Sequence, residues 1–284
     1  GLCVLFAIAV AWFFLRSTTP VVPETIKRGY SEALTQARAG QPGAARVLYQ
    51  QLGRPDLSPK RRVWPHAELP NNPTPQALKL ADADLQNPAT DVRIAAIKSI
   101  SGLVPSGQRS LLIGPLLDDS EQSVRFAAIN ALLGLSPDDL GLYFGPLQQA
   151  IDAWEQVLKR QPASAETQYQ LARLHLHNAE LKEAQQALER TLQLDPGNLP
   201  ALVMQIEVLD RQGQSDAARQ LLAKQLKAQP ESAYLQHALG LWLLHHGQSE
   251  FALLGLSKAV EIEPNNKDYR YDLATTLHGE NELE

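Results

Sequence analysis

The sequence predicts an all-α protein, a helical-repeat solenoid behind an N-terminal transmembrane helix. Three observations predict it: a 34-residue period in the second half, a 32-residue duplication in the middle, and an uncharged run at the start. Pro162, Pro196, Pro230 and Pro264 recur every 34 residues, as do Ala150, Ala184, Ala218 and Ala252. Trp154, Leu188, Leu222 and Leu256 keep the same interval. A fixed period of this length marks a repeat that cannot bury its own apolar face and must stack on its neighbours.

Residues 1–16 come first. Residues 1–15 carry no charge, Trp12, Phe13 and Phe14 stand near the end of the run, and Arg16 closes it. A spanning helix needs about 20 apolar residues, so the run reads as the end of a transmembrane helix whose start is missing. Residue 1 is Gly, which fits a fragment. Arg16, Lys27 and Arg28 against Glu24 place the following domain in the cytoplasm of a bacterial inner membrane by the positive-inside rule, with the periplasm as the alternative.

Residues 24–52 suggest a degenerate helix pair, with Gly40 five residues before Ala45 and Tyr49 four residues later. Residues 53–76 hold six prolines and read as a linker. That stretch carries Lys60-Arg61-Arg62 beside Val63-Trp64, which reads first as a solvated loop with one packed aromatic and alternatively as a basic run touching anionic lipid.

Residues 77–146 contain the duplication. Asp-Val-Arg-Ile-Ala-Ala-Ile-Lys-Ser-Ile at 91–100 returns as Ser-Val-Arg-Phe-Ala-Ala-Ile-Asn-Ala-Leu at 123–132. This resembles the HEAT-like repeat. The resemblance implies that Val92 and Val124 pack inward and that Arg93 and Arg125 brace an adjacent repeat, around Asp91 or Asp118.

Residues 147–284 carry the 34-residue unit, each a helix pair. Leu171, Ala172 and His175 share one face of a first helix, with Leu239, Gly240 and Leu243 equivalent. Gly213 and Gly247 lie five residues before their alanines, at the turn between helices, and Ala179 takes that place one unit earlier. This pattern resembles the tetratricopeptide repeat (TPR), with the last repeat incomplete. That family implies a groove lined by the first helices. By repeat position the partner-binding groove shows Tyr169, Arg173, His177, Val203, Glu207, Arg211, His237, Leu241, His245 and Tyr271. Such a groove takes a peptide or helix of a protein partner. The Lys/Asn pattern with which some members hold a terminal carboxylate is absent, since Val203 and Glu207 stand at two of its positions.

Composition and motifs bound the chemistry. Twenty-six Lys and Arg against 31 Asp and Glu leave a net charge of −5, so no nucleic-acid partner is expected. One cysteine, Cys3, excludes intrachain disulfides and cysteine-based metal centres. No phosphate-binding loop or His-Glu-x-x-His pair occurs, and His175 and His177 diverge by about 200° on a helix. The sequence therefore predicts no catalytic residues, no metal, no cofactor and no small-molecule substrate.

An anchor before helical repeats resembles a bacterial envelope scaffold. The layout is similar to the PelE family of Pel exopolysaccharide synthesis, which implies a cytoplasmic array bridging membrane partners. The HEAT-to-TPR passage is similar to arrays of some multihaem cytochrome c proteins, whose haem sites this chain lacks. Three readings follow: a membrane-tethered interaction scaffold, a periplasmic assembly factor holding a client such as an apocytochrome, and a regulatory subunit of a membrane enzyme.

Overall fold

A computed structural model describes residues 30–41, 43–71 and 73–281. The apolar run expected to cross the membrane lies outside them, as does the 24–29 part of the first expected helix pair. Among the described residues no helix is long and apolar enough to cross a membrane. The described chain is helical, and it divides into two compact units at Pro105 and Ser106. That division falls inside the stretch expected to form one block of HEAT-like repeats.

The first unit holds α1 (Tyr30–Arg38), α2 (Ala44–Leu52), α3 (Pro59–Glu68), α4 (Pro75–Asp84) and α5 (Thr90–Leu103). Helices α1 and α2 pack through Leu34, Ala37, Ala44 and Leu48, all buried. The turn between them is set by Gly40 at φ +65°, the left-handed conformation a side chain resists. Its N–H reaches the Ala37 carbonyl and the Gln41 N–H reaches Gln36, the paired bonds that end a helix with a left-handed residue.

The proline-rich stretch expected as a linker is instead built into the fold as α3 and a 3₁₀ turn at Leu69–Asn71. Two features allow a helix there. Pro59 stands in the first turn, where its missing N–H has no intrahelical partner anyway. Pro65 does forfeit a helical bond, yet it is buried with His66, Glu68 and Leu69, so packing and polar bonds hold the segment.

Those polar bonds centre on Asp84. Arg62 meets its two carboxylate oxygens at 3.2 and 3.1 Å, and the fully buried His66 Nε2 lies 2.8 Å from Oδ2. Arg62 also donates to the Leu52 and Arg54 carbonyls, tying α2 and the following loop to α3 and α4. Burial works against the Asp84 charge, but the His66 hydrogen bond and the charges of His66 and Arg62 outweigh it and hold the carboxyl below its usual range. The basic run is therefore not a freely solvated patch: its third member is committed to the core.

The second unit begins with α6 (Ser106–Ile113), α7 (Gln122–Leu132), the single-turn α8 (Pro137–Leu140) and α9 (Phe144–Arg160). It continues with α10 (Ala165–His177), α11 (Leu181–Leu194), α12 (Leu199–Arg211), α13 (Ser215–Ala228), α14 (Ala233–His245), α15 (Ser249–Ile262) and α16 (Lys267–Asn281).

The duplicated Val-Arg motif opens α5 in the first unit and α7 in the second. Val92 and Val124 are fully buried, as the resemblance implies. The arginines make local bonds. Arg93 Nη1 donates to the Asn87 and Pro88 carbonyls, and Arg125 Nη1 to those of Asp119 and Ser120. Each pins the turn just before its own helix and reaches no adjacent repeat through these bonds, because a carbonyl pair five and six residues back lies within reach.

From α10 onward the local bonds repeat with the sequence. First helices start on side-chain caps at Ser164, Asn198, Ser232 and Asn266, two residues after the periodic prolines. These cap positions keep the 34-residue interval. The turns to the second helices sit on Ala179 (φ +57°), Gly213 (+76°) and Gly247 (+70°). Each turn closes with the same two bonds: Glu180, Gln214 and Gln248 N–H groups reach the His175, Leu209 and Leu243 carbonyls, six-to-one across the turn, and Ala179, Gly213 and Gly247 N–H groups reach those of Leu176, Asp210 and Leu244.

The buried stripe is the periodic one. Ala184, Leu188, Ala218, Leu222, Ala252 and Leu256 are all 2% exposed or less. Trp154, at the head of that series, stacks on Phe126 with ring centroids 4.8 Å apart and joins α9 to α7. The small residues permit close helix approach. A Cβ on Gly240 would lie 2.6 Å from Leu256 and 3.2 Å from the Ala252 carbonyl oxygen, so α14 and α15 touch backbone to side chain there.

Candidate functional site

Two neighbouring clefts open in the second unit, on the side of the first helices. The first lies among α12, α13 and α14 and encloses about 370 Å³. Val203, Ile206, Leu222, Leu241 and Trp242 supply its apolar walls, with Glu207, Asp210, Arg211 and His245 among its polar lining. Its floor is continuous with the core cluster of Ile206, Ala218 and Leu222. Helix α12 faces it through residues 203, 206, 207, 210 and 211, the three-and-four spacing of one helical face.

The polar rim is arranged in pairs. Arg211 Nη2 and Glu207 Oε1 lie 2.6 Å apart, both about half exposed, one helical turn from each other. Asp210 lies 2.9 and 3.0 Å from His246 Nε2, and His245 Nε2 stands 3.8 Å away. The adjacent His245 and His246 thus converge on one carboxylate, their rings edge to face at 5.4 Å. They can do so because they end α14, where the chain leaves regular helical geometry at His246. Burial disfavours the Asp210 charge, and hydrogen bonds from Ser215 and His246 outweigh it, so the carboxyl titrates below its usual range. Trp242 stacks on His246 at 4.1 Å, and its indole nitrogen is buried without a hydrogen-bond partner.

The second cleft, of about 360 Å³, lies between the Leu133–Phe144 segment and helices α10 and α12. Arg173, His177, Met204, Glu207 and Arg211 line it. Glu207 and Arg211 therefore form a wall shared by both clefts. The Gly134 N–H donates to His177 Nδ1 at 3.1 Å, so that nitrogen carries no proton and the ring is held neutral. Burial lowers the His177 pKa in the same direction.

Of the ten residues expected in a groove, Val203, Glu207, Arg211, Leu241 and His245 meet in the first cleft, and Arg173 and His177 join Glu207 and Arg211 in the second. Tyr169, His237 and Tyr271 line neither. Tyr169 is half-buried, and burial raises its pKa. His237 Nε2 lies 2.6 Å from Asp272 and its ring rests on Tyr269, so it ties α14 to α16. Tyr271 projects outward. Arg173 is also committed: its guanidinium donates to Asn130 Oδ1 and braces α10 against α7. Sequence reasoning missed Ile206, Asp210, Leu222, Ala238 and Trp242. For Ala238 and Trp242 the signal was present in α14, whose apolar residues are not confined to one face, a pattern expected when more than one side is covered. Among the described residues no group of three or more His, Cys, Asp or Glu is placed to hold a metal ion.

Comparison with known proteins bears on the fold. Residues 180–241, from the turn before α11 into α14, match the family model of the tetratricopeptide repeat. The uncharacterized protein y4yS of Sinorhizobium fredii (strain NBRC 101917 / NGR234) is 34% identical over 101 residues, which cover 36% of this chain and 56% of that protein. The aligned region thus spans little more than half of that relative. A tetratricopeptide repeat protein from Parabacteroides merdae ATCC 43184 superimposes with a TM-score of 0.52 at 15% identity, over 87% of this chain and 98% of that one. At that identity the likeness shows the fold alone. Residues 180–241 thus match the tetratricopeptide repeat, and the chain has an all-α helical-repeat fold of that kind.

Proposed function

We propose that this chain is a non-enzymatic scaffold that holds a peptide or helix of a protein partner in the cleft among α12, α13 and α14. One observation carries the reading. Leu241 is exposed beside Val203 and Trp242 over an apolar floor, while the Glu207–Arg211 pair at the rim remains half-solvated. An apolar ligand segment would cover Leu241 and Val203, and ligand charges can re-pair with Glu207 and Arg211 with little desolvation. Asp210 is already hydrogen-bonded by His246, so its carboxylate does not wait unpartnered for a ligand group.

The uncharged residues 1–15, closed by Arg16, support a tether to a bacterial inner membrane with the repeats on the cytoplasmic side. A tether raises the effective concentration of the groove near membrane partners, so modest affinity suffices. The resemblance in layout to PelE is what points to an exopolysaccharide assembly as the setting.

A photo-crosslinking residue at Leu241, with exposed Lys224 as control, tests the cleft in native membranes. The reading expects one discrete membrane-protein adduct from Leu241 and none from Lys224. Equal labelling from both positions contradicts it, and a smear of unfolded secreted clients would favour a periplasmic holdase. Deleting residues 1–15 tests the tether, which expects release of the repeats into the soluble fraction.

A further inference from the structure

We infer that the groove between α3 and α5 in the first unit is a second docking site, built for an acidic amphipathic segment of a protein. Lys60, Val63, Trp64 and Ala67 recur at helical spacing along α3 and line one wall. Asp91, Ile94, Ala95 and Lys98 recur at the same spacing along α5 and line the other. The two stripes enclose about 850 Å³, more than either cleft of the second unit.

Apart from Ala95, which is buried and forms the floor, both stripes are extra to the core. Helix α5 fills the interior with Val92, Ala96 and Ile100 on a different face, and α3 does so with Pro65, His66 and Glu68. With those residues fixed inward, Trp64 is held outward and stays 50% exposed. The Arg38 guanidinium stands 5.7 Å from its ring centre and is itself anchored to Glu68 at 3.0 Å, so the indole is positioned before any ligand arrives. A half-exposed, pre-positioned tryptophan over an apolar trough is the anchor type that dominates protein interfaces.

The charge selects the partner. Lys60 and Lys98 are exposed and make no ion pair with a described residue, whereas Asp91 is the one carboxylate of the lining. A ligand helix or strand with apolar residues on one face and Asp or Glu beside them satisfies both walls. The trough shape favours a peptide over a bilayer: a flat anionic surface would reach the lysines and leave the apolar floor unfilled. This site lies in a different unit from the proposed groove, so either reading can fail without the other.

The test selects a phage-displayed random peptide library on the full chain in phosphatidylcholine nanodiscs. Binding is then compared with Trp64→Ala and with Lys60→Glu/Lys98→Glu, surface changes whose melting curves should match the parent. Fluorotryptophan labelling reports on Trp64, its fluorine resonance assigned by its loss in Trp64→Ala. The inference expects peptides enriched in apolar residues at three- and four-residue spacing with flanking Asp or Glu. They should bind both variants at least about tenfold more weakly, a difference of about 1.4 kcal/mol, and should shift the Trp64 resonance. No enrichment on the parent over the variants overturns it, as do selected peptides that leave Trp64 unshifted. A Trp64 shift in phosphatidylglycerol nanodiscs without any peptide-induced shift overturns it in favour of a lipid surface.

Discussion

The two units hold themselves together in different ways. The second repeats one set of local bonds every 34 residues: a Ser or Asn cap, a left-handed turn, and an Ala-Leu stripe beneath it. The first depends on polar bonds made once, between residues far apart in the chain: Arg62 and His66 with Asp84, and Arg38 with Glu68. A local device shows in the sequence because it recurs. A unique long-range bond leaves no pattern, even where it holds as much structure.

The largest expected effect breaks the first unit. Asp84→Ala leaves Arg62 and His66 buried without their shared carboxylate, and loss of one partner from a buried ionic network costs about 3–5 kcal/mol. Chemical unfolding followed by proteolysis should show the first unit opening at lower denaturant, with cleavage within residues 53–76. If melting is unchanged, the network is not what holds α3.

Next comes the second unit's packing. Gly240→Val forces side-chain carbon against Leu256 and the Ala252 carbonyl, and overpacking of this kind costs about 1–3 kcal/mol. Ala218→Trp should act in the same direction at the equivalent second-helix stripe, since Ala218 is fully buried. Thermal melts that match the parent for both would refute the 34-residue register.

A smaller effect concerns pH. His177 must be neutral to accept the Gly134 N–H, and burial lowers its pKa below the ordinary value of about 6.5. Its folded pKa thus lies under its unfolded one. The stability it contributes is fully present above about pH 6.5 and is lost as the pH falls below that toward the folded value. Arg173 and Arg211 share its cleft and oppose a new positive charge, while Glu207 is paired with Arg211. Proton titration by NMR should give a depressed His177 pKa, with the Gly134 amide resonance moving in step. A Gly134 amide indifferent to that titration would remove the contact.

The smallest effect sharpens the comparison. Ala179 occupies the left-handed turn position that Gly213 and Gly247 fill elsewhere. A Cβ there costs about 1 kcal/mol, so Ala179→Gly should raise stability by up to that amount. A destabilised variant would mean that the Ala179 methyl packs usefully enough to offset its strain.

These contrasts explain what the sequence makes legible. The turns at Gly213 and Gly247 and the stripe from Ala184 to Leu256 stand out because one residue type or one size class recurs. The caps at Ser164, Asn198, Ser232 and Asn266 keep the same period, yet two residue types serve the one purpose and conceal it. Pro65 reads as a helix breaker when its packing is unknown. Repeat register puts Arg173 in a cleft wall, whereas its bond to Asn130, 43 positions away, leaves no sign in the sequence. The cleft at Val203, Glu207, Arg211, Leu241 and His245 follows from repeat register, whereas Trp242 and Asp210 enter it through the local path of α14 and the end of α12.

Capture of a protein segment by the α12–α14 cleft is what most needs a direct test. The most direct measurement is the affinity of the partner crosslinked through Leu241 for three purified chains: parent, Leu241→Glu and Lys224→Glu. A buried charge at the anchor should weaken binding at least about a hundredfold, near 2.7 kcal/mol, while the change at Lys224 leaves affinity within about twofold. Equal affinity for parent and Leu241→Glu, with both chains folded, would contradict the account.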